Sequence, residues 1–140
     1  MSWSGNMKVI VTNQTGGTIT EATAAHSWQS SNTSVGPQTL AQGQQMSFGI
    51  SVGSGGSDTW SIGFLIGTTK YYRTGKQCNV EESDLDTGNP IYINFLPPSQ
   101  GWSIEMPSSS SCTDNFYNTG STAAEKEAKA DVVSEAGVAS

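Results

Sequence analysis

The sequence predicts an all-β fold: an antiparallel β-sandwich of about seven or more short strands, followed by a polar C-terminal tail. Three observations carry this. Apolar residues alternate with polar residues or glycine through residues 46–106, the period-2 spacing that gives a strand one buried face. The breaks between these runs are rich in Gly, Pro, Asn and Asp, the residues of turns. Ser and Thr make up 36 of the 140 residues while Leu occurs four times, a balance foreign to a helical bundle.

Taken in order, Val9 and Val11 open the first strand. Gly16-Gly17 turns it into a return strand over Thr18–Trp28, which Ile19 begins. The run Met46, Phe48, Ile50, Val52 faces one side, and Trp60, Ile62, Phe64, Ile66 repeat the pattern. Thr68–Arg73 adds a short aromatic strand; Ile91, Ile93, Phe95 and then Trp102, Ile104, Met106 supply two more. Turns or loops are expected at Asn32–Pro37, Gly53–Asp58, Asp86–Pro90 and Pro97–Gly101, and no helix is required before residue 120. Residues 1–118 therefore read as one sandwich domain, and 119–140 as an Ala/Glu/Lys-rich tail, disordered or a marginal helix. Thr122 and Glu125 have the spacing of a capping box, but that segment shows no apolar stripe.

Charge narrows the function classes. The net charge is −6. Residues 77–120 hold six acids and no base, so the chain lacks the basic stripe that tracks phosphates, and nucleic acid is not an expected partner. Bulk attraction to anionic lipid would be weak for the same reason; at a membrane the protein would have to read headgroups or sterols. No apolar run approaches the length of a membrane-spanning helix. The opening residues MSWSGNMK lack the basic start and apolar stretch of a secretory signal. A soluble protein is expected, whose export, if any, would follow a non-classical route.

Catalytic chemistry has few candidates here. Cys78 and Cys112 are too few for a disulfide scaffold or a zinc cage. They either pair, closing a loop worth roughly 3–4 kcal/mol, or remain two partly buried thiols. His26 is the one histidine, and no G-x-S-x-G elbow accompanies it. It reads as a half-buried strand residue bonded to backbone, on a face with Ala22, Ala24 and Trp28. Glu81, Glu82, Asp84 and Asp86 crowd one loop, with Glu105 elsewhere, the pattern of a solvated acidic surface. Asp84-x-Asp86-x-Gly88-Asn89 echoes a calcium loop without its third acid or distal Glu. No enzyme activity, cofactor or metal is expected.

The aromatic residues are the remaining signal. Trp28, Trp60 and Trp102 fit the core. Tyr71 and Tyr72 are adjacent, so on a strand they point to opposite faces. Lys70, Arg73 and Lys76 beside them form the only local cluster of positive charge. Tyr71, Tyr72, Trp102, Lys70 and Arg73 are accordingly the candidate ligand-binding residues, suited to a phosphate-bearing or zwitterionic headgroup. The competing reading packs one tyrosine inside and leaves the cations as a solvated edge.

The stretch Lys8–Ile19 (KVIVTNQTGGTI), Ser27-Trp28 and Leu40–Ile50 (LAQGQQMSFGI) resemble the first half of aegerolysin-like proteins. In that family a strand ending in N-x-T-G is followed by a second strand, a polar loop and a G-x-x-x-x-F strand. The resemblance covers about the first 65 residues; KQCNVEESDLD and LPPSQGWSIEMPSSSSC have no counterpart in it. It implies a β-sandwich that binds membrane lipids, often with a larger pore-forming partner protein, as one component of a cytolytic or insecticidal pair. A lectin-like carbohydrate-binding module, with aromatics stacking on a glycan, is the second expectation. A storage or crystalline structural protein is the third.

Overall fold

Each alternating run turns its apolar side chains to one face, and two such faces close on each other. The computed structural model describes residues 2–118; the tail expected over 119–140 lies outside the described residues. The elements are β1 (Ser4–Asn13), β2 (Ile19–Trp28), β3 (Ser31–Leu40), β4 (Gln45–Gly53), β5 (Asp58–Ile66) and β6 (Thr69–Gln77). After these come α1 (Glu82–Asp86), β7 (Ile91–Phe95), β8 (Trp102–Glu105), β9 (Cys112–Asp114) and β10 (Tyr117–Asn118). The strands form two five-stranded sheets, β4-β1-β7-β8-β9 and β10-β6-β5-β2-β3. All pairings are antiparallel except β1 with β7. That parallel pair arises because the chain leaves the second sheet after β6 and re-enters the first beside β1.

The core fills the space between the sheets. Val9, Val11, Ile91, Ile93, Phe95, Trp102 and Ile104 come from the first, and Ala24, Trp60, Ile62 and Phe64 from the second. Phe64 lies 5.0 Å from Phe95 across the layers and 5.0 Å from Phe116, which it meets edge-on. Such contacts add to the area that each ring removes from water. Cys78 and Cys112 form a disulfide with Cα atoms 6.3 Å apart, joining the end of β6 to β9 across the two sheets. Among the described residues no helix is long and apolar enough to cross a membrane.

Two elements differ from the sequence expectation. Asn32–Pro37 is strand, not turn: it lies inside β3, at the edge of the second sheet. An edge strand leaves one side of its backbone unpaired, so Pro37 costs no ladder bond there. Gly36, at φ +97°, sits where a Cβ would overlap the Ala22 carbonyl oxygen, beside the register shift between β2 and β3. The other departure is α1, a single helical turn inside the acidic loop, with Glu82 and Asp84 in its first turn. Carboxylates there oppose the positive end of the helix dipole.

Trp60 is 1% exposed at the centre of β5. Trp60→Ala should cost about 3–5 kcal/mol in a urea titration, and Phe48→Ala less, since Phe48 is only partly buried on the edge strand β4. Equal losses, or a loss under about 1 kcal/mol for Trp60→Ala, would contradict the assigned faces.

Candidate functional site

The aromatic and cationic residues singled out from sequence do not form an open patch. Tyr71 and Tyr72 do point to opposite faces. Tyr71, opposite Phe64, turns inward and packs on Phe64 and Phe116. Tyr72 turns outward yet is buried, because Tyr117 of β10 packs on it edge-to-face at 5.7 Å. Trp102 is 1% exposed and belongs to the core; a ligand could reach it only by opening the sandwich. Arg73 is committed elsewhere: its Nη1 donates to the Tyr117 hydroxyl at 2.8 Å, and it lies over that ring. Asp114 bridges Arg73 and Lys76 at 3.5 and 3.4 Å, so the two cations share one carboxylate. Burial would raise the Asp114 pKa, but the Asn115 N–H and these two cations hold it below the usual value. Lys70 is half-buried beside Tyr72, in a depression of about 180 Å³ on the outer face of the second sheet. The cluster is thus a structural clasp between β6, β9 and β10.

The buried ionisable side chains His26, Asp58 and Asp84 lie at one end of the sandwich. His26 Nε2 meets Asp58 Oδ1 at 2.6 Å, with both residues 1% exposed. His26 is therefore fully buried and bound to a carboxylate, not half-buried and bound to backbone. Its ring packs on Trp60 at 4.5 Å. Asp58 also accepts the Val80 N–H at 2.8 Å through Oδ2, and its carbonyl accepts from Cys78 N–H at 3.0 Å. Trp60 Nε1 donates to the Cys78 carbonyl at 2.8 Å. No hydroxyl or thiol contacts the pair, and neither member reaches solvent; its geometry is that of a brace.

Glu81, Glu82 and Asp86 are exposed, as expected for a solvated acidic loop, but Asp84 is not. It is fully buried and accepts four bonds: from the Ser108 and Ser109 N–H groups, the Ser109 hydroxyl and the Glu81 N–H, at 2.6–2.9 Å. Burial would raise its pKa; the Ser109 hydroxyl and the three N–H donors outweigh that and lower it below the ordinary 3.8. The calcium echo thus becomes an internal anchor, and no cluster of three metal-ligating side chains occurs among the described residues.

The opposite end of the sandwich is chemically different. Four of the connections at that end are residues 14–18, 41–44, 67–68 and 96–101. They read QTGGT, AQGQ, GT and LPPSQG, without one charged residue. The first charges come one row in, at Glu21 beside Thr20, at Lys70 opposite Leu65 and at Asp114 opposite Trp102. Ile66, at the hairpin tip, is 37% exposed, and Leu96, Pro97 and Pro98 are partly exposed.

This end is held in shape from beneath. Asn13 Nδ2 donates to the carbonyls of Gly17 and Leu40 at 2.7 and 2.9 Å, while its Oδ1 accepts from Thr15 N and Oγ1 at 3.0 and 2.8 Å. Gln42 and Gln44 accept from the Gly16 and Ala41 N–H groups, both at 2.7 Å. In the fourth loop Leu96 N–H bonds the Gly101 carbonyl at 3.1 Å around the turn Pro98–Gln100. Gly101, at φ +81°, sits where a Cβ would overlap the Asp114 carbonyl oxygen. Sequence reasoning missed this site because each loop alone looks like an ordinary turn. The available signal was the absence of charge in all four.

The Asp84 anchor yields a pH prediction. Asp84→Ala should lower stability by about 2–4 kcal/mol at neutral pH, because several buried donors lose their acceptor. Since the folded carboxyl titrates below the unfolded one, its contribution is complete above about pH 4 and disappears as pH falls through the lower folded value. The parent–variant gap in urea midpoints should therefore be flat from about pH 7 to 4 and narrow below. A gap that changes between about pH 5 and 7 would contradict the anchor. No protein-family model and no curated protein sequence matches this chain.

Proposed function

We propose that this chain is a non-enzymatic protein that binds a membrane-lipid surface through its uncharged loop end. One observation carries the reading: four loops from both sheets lie at one end without a single charge, and that end exposes Ile66 and, in part, Leu96, Pro97 and Pro98. Burying the exposed third of the Ile66 side chain gains about 0.5–1 kcal/mol, to which the other loop residues add, and no ion has to be dehydrated for it to happen. The loop backbone is already bonded by Asn13, Gln42 and Gln44, so little ordering is lost on contact. Residues 77–120 carry six acids and no base, which favours neutral or zwitterionic bilayers over anionic ones. The resemblance of Lys8–Ile19 and Leu40–Ile50 to aegerolysin-like proteins supports the same reading. It extends it to a larger pore-forming partner, recruited once the sandwich is on the membrane.

Sedimentation with zwitterionic, sterol-containing and anionic vesicles tests this. The parent should bind vesicles lacking anionic lipid, with little dependence on salt. Ile66→Asp should bind at least about tenfold more weakly at unchanged melting temperature. Failure to bind every mixture, or equal binding by Ile66→Asp, would overturn the proposal.

A further inference from the structure

A second surface, on the outer face of the first sheet, bears no relation to the loop end. Its strands present a polar face of Ser47, Asn94, Ser103 and Glu105, and in its midst Tyr92 is 37% exposed. Among the described residues only Ile66 and Tyr92 are large apolar side chains exposed to this degree. Cross-strand pairing sets Tyr92 between Ile10 and Glu105, and sets Asn94 in the next row beside Ser103. Neighbours across strands stand about 5 Å apart and rows about 7 Å apart. The phenol ring therefore has Asn94 and Ser103 one row to one side and Lys8 one row to the other, a span of about 14 Å that suits a short oligosaccharide.

The polar groups are already oriented. Asn94 Nδ2 donates to Glu105 Oε2 at 2.9 Å and to Ser103 Oγ at 3.3 Å. That arrangement leaves Asn94 Oδ1 and Glu105 Oε1 as acceptors that take no bond from another residue of the sheet. Tyr92 and Glu105 line a depression of about 280 Å³ with Asn89 and Pro90. It adjoins another of about 360 Å³, lined by Lys8, Ile10 and the same Asn89 and Pro90. Lys8 is exposed and makes no ion pair among the described residues. One cation and one carboxylate leave the trough without net charge.

We infer that this trough is a binding site for a neutral saccharide. The apolar face of one pyranose stacks on the Tyr92 ring; hydroxyls of that sugar and of its neighbours along the oligosaccharide donate to Glu105 Oε1 and, at the rim, to Asn94 Oδ1, and accept from Lys8 Nζ. The mutual bonds of Asn94, Glu105 and Ser103 keep those side chains in place before the sugar arrives, which lowers the ordering cost of binding. A charged glycan would leave Lys8 or Glu105 facing a like charge. A bilayer, for its part, would have to dehydrate Lys8 and Glu105 to reach the apolar Tyr92, Ile10, Leu85 and Pro90 between them.

The test is a glycan array of neutral and acidic oligosaccharides built on glucose, galactose, mannose and N-acetylglucosamine, followed by calorimetry on the class that binds. The parent should bind a neutral class. Tyr92→Ala should weaken that binding by at least about tenfold, and Tyr92→Phe by less than about threefold, because the stacking face survives. Asn94→Ala should weaken it by about fivefold or more, an independent readout if Tyr92→Ala disturbs the sheet. Ile66→Asp, which removes vesicle binding on the lipid proposal, should leave glycan affinity unchanged, so the two proposals fail separately. Binding to no neutral glycan, binding only to acidic ones, or parent-like affinity in both Tyr92→Ala and Asn94→Ala would overturn the inference.

Discussion

One buried carboxylate, Asp58, governs how the chain passes from one sheet to the other. It stands at the first position of β5, facing inward where the alternation would otherwise put an apolar residue. A lone charge there would be costly. It is compensated by His26 on one oxygen and the Val80 N–H on the other, while its own carbonyl holds Cys78. The segment 78–80 is thereby fixed against β5, and Cys78 is placed where it meets Cys112 of the opposite sheet. A few residues later Asp84 repeats the device, gathering the 108–109 loop that leads into β9. The crossing is thus tied to the far edge of the first sheet once covalently and once by a charged acceptor.

This arrangement divides the molecule by chemistry. The crossing end holds Asp58, His26, Asp84 and the disulfide, where groups are buried and compensated within the protein. The far end holds four loops whose polar side chains are spent on their own backbones, through Asn13, Gln42 and Gln44. A surface used against lipid cannot easily carry both unsatisfied backbone and charge, since each would be dehydrated on contact. Placing the buried polar anchors at one end allows the other to be uncharged and still well formed. The closed edge at β6, β9 and β10 serves the same division: Asp114 takes up Arg73 and Lys76, so that cluster reinforces the sandwich.

How much of this could be read from the sequence follows from the range of the interactions. Period-2 spacing identified the inward faces of β5 and β7 directly, because alternation is a local property of Trp60, Ile62 and Phe64 or of Ile91, Ile93 and Phe95. The same rule sent Tyr71 and Tyr72 to opposite faces. It could not foresee that the outward one is covered, because its cover, Tyr117, lies 45 residues away on a two-residue strand. Pro37 looked like a turn because nothing local says that β3 is an edge strand. Asp84 looked solvated because its donors, Ser108 and Ser109, lie 24 and 25 residues further along the chain, in a serine run that nothing local ties to the acidic loop. The loop end is legible only once the strand order shows which four turns share an end; its one sequence trace is a missing feature, charge.

Hydrogen–deuterium exchange on vesicle-bound protein tests the central claim, that lipid contact belongs to the uncharged end and not to the clasp or the crossing. The account expects residues 14–18, 41–44, 66–68 and 96–101 to gain protection when zwitterionic vesicles are added, while 70–77 and 78–90 exchange as in free protein. Protection confined to 70–77 or to the crossing, with the four loops unchanged, would contradict it.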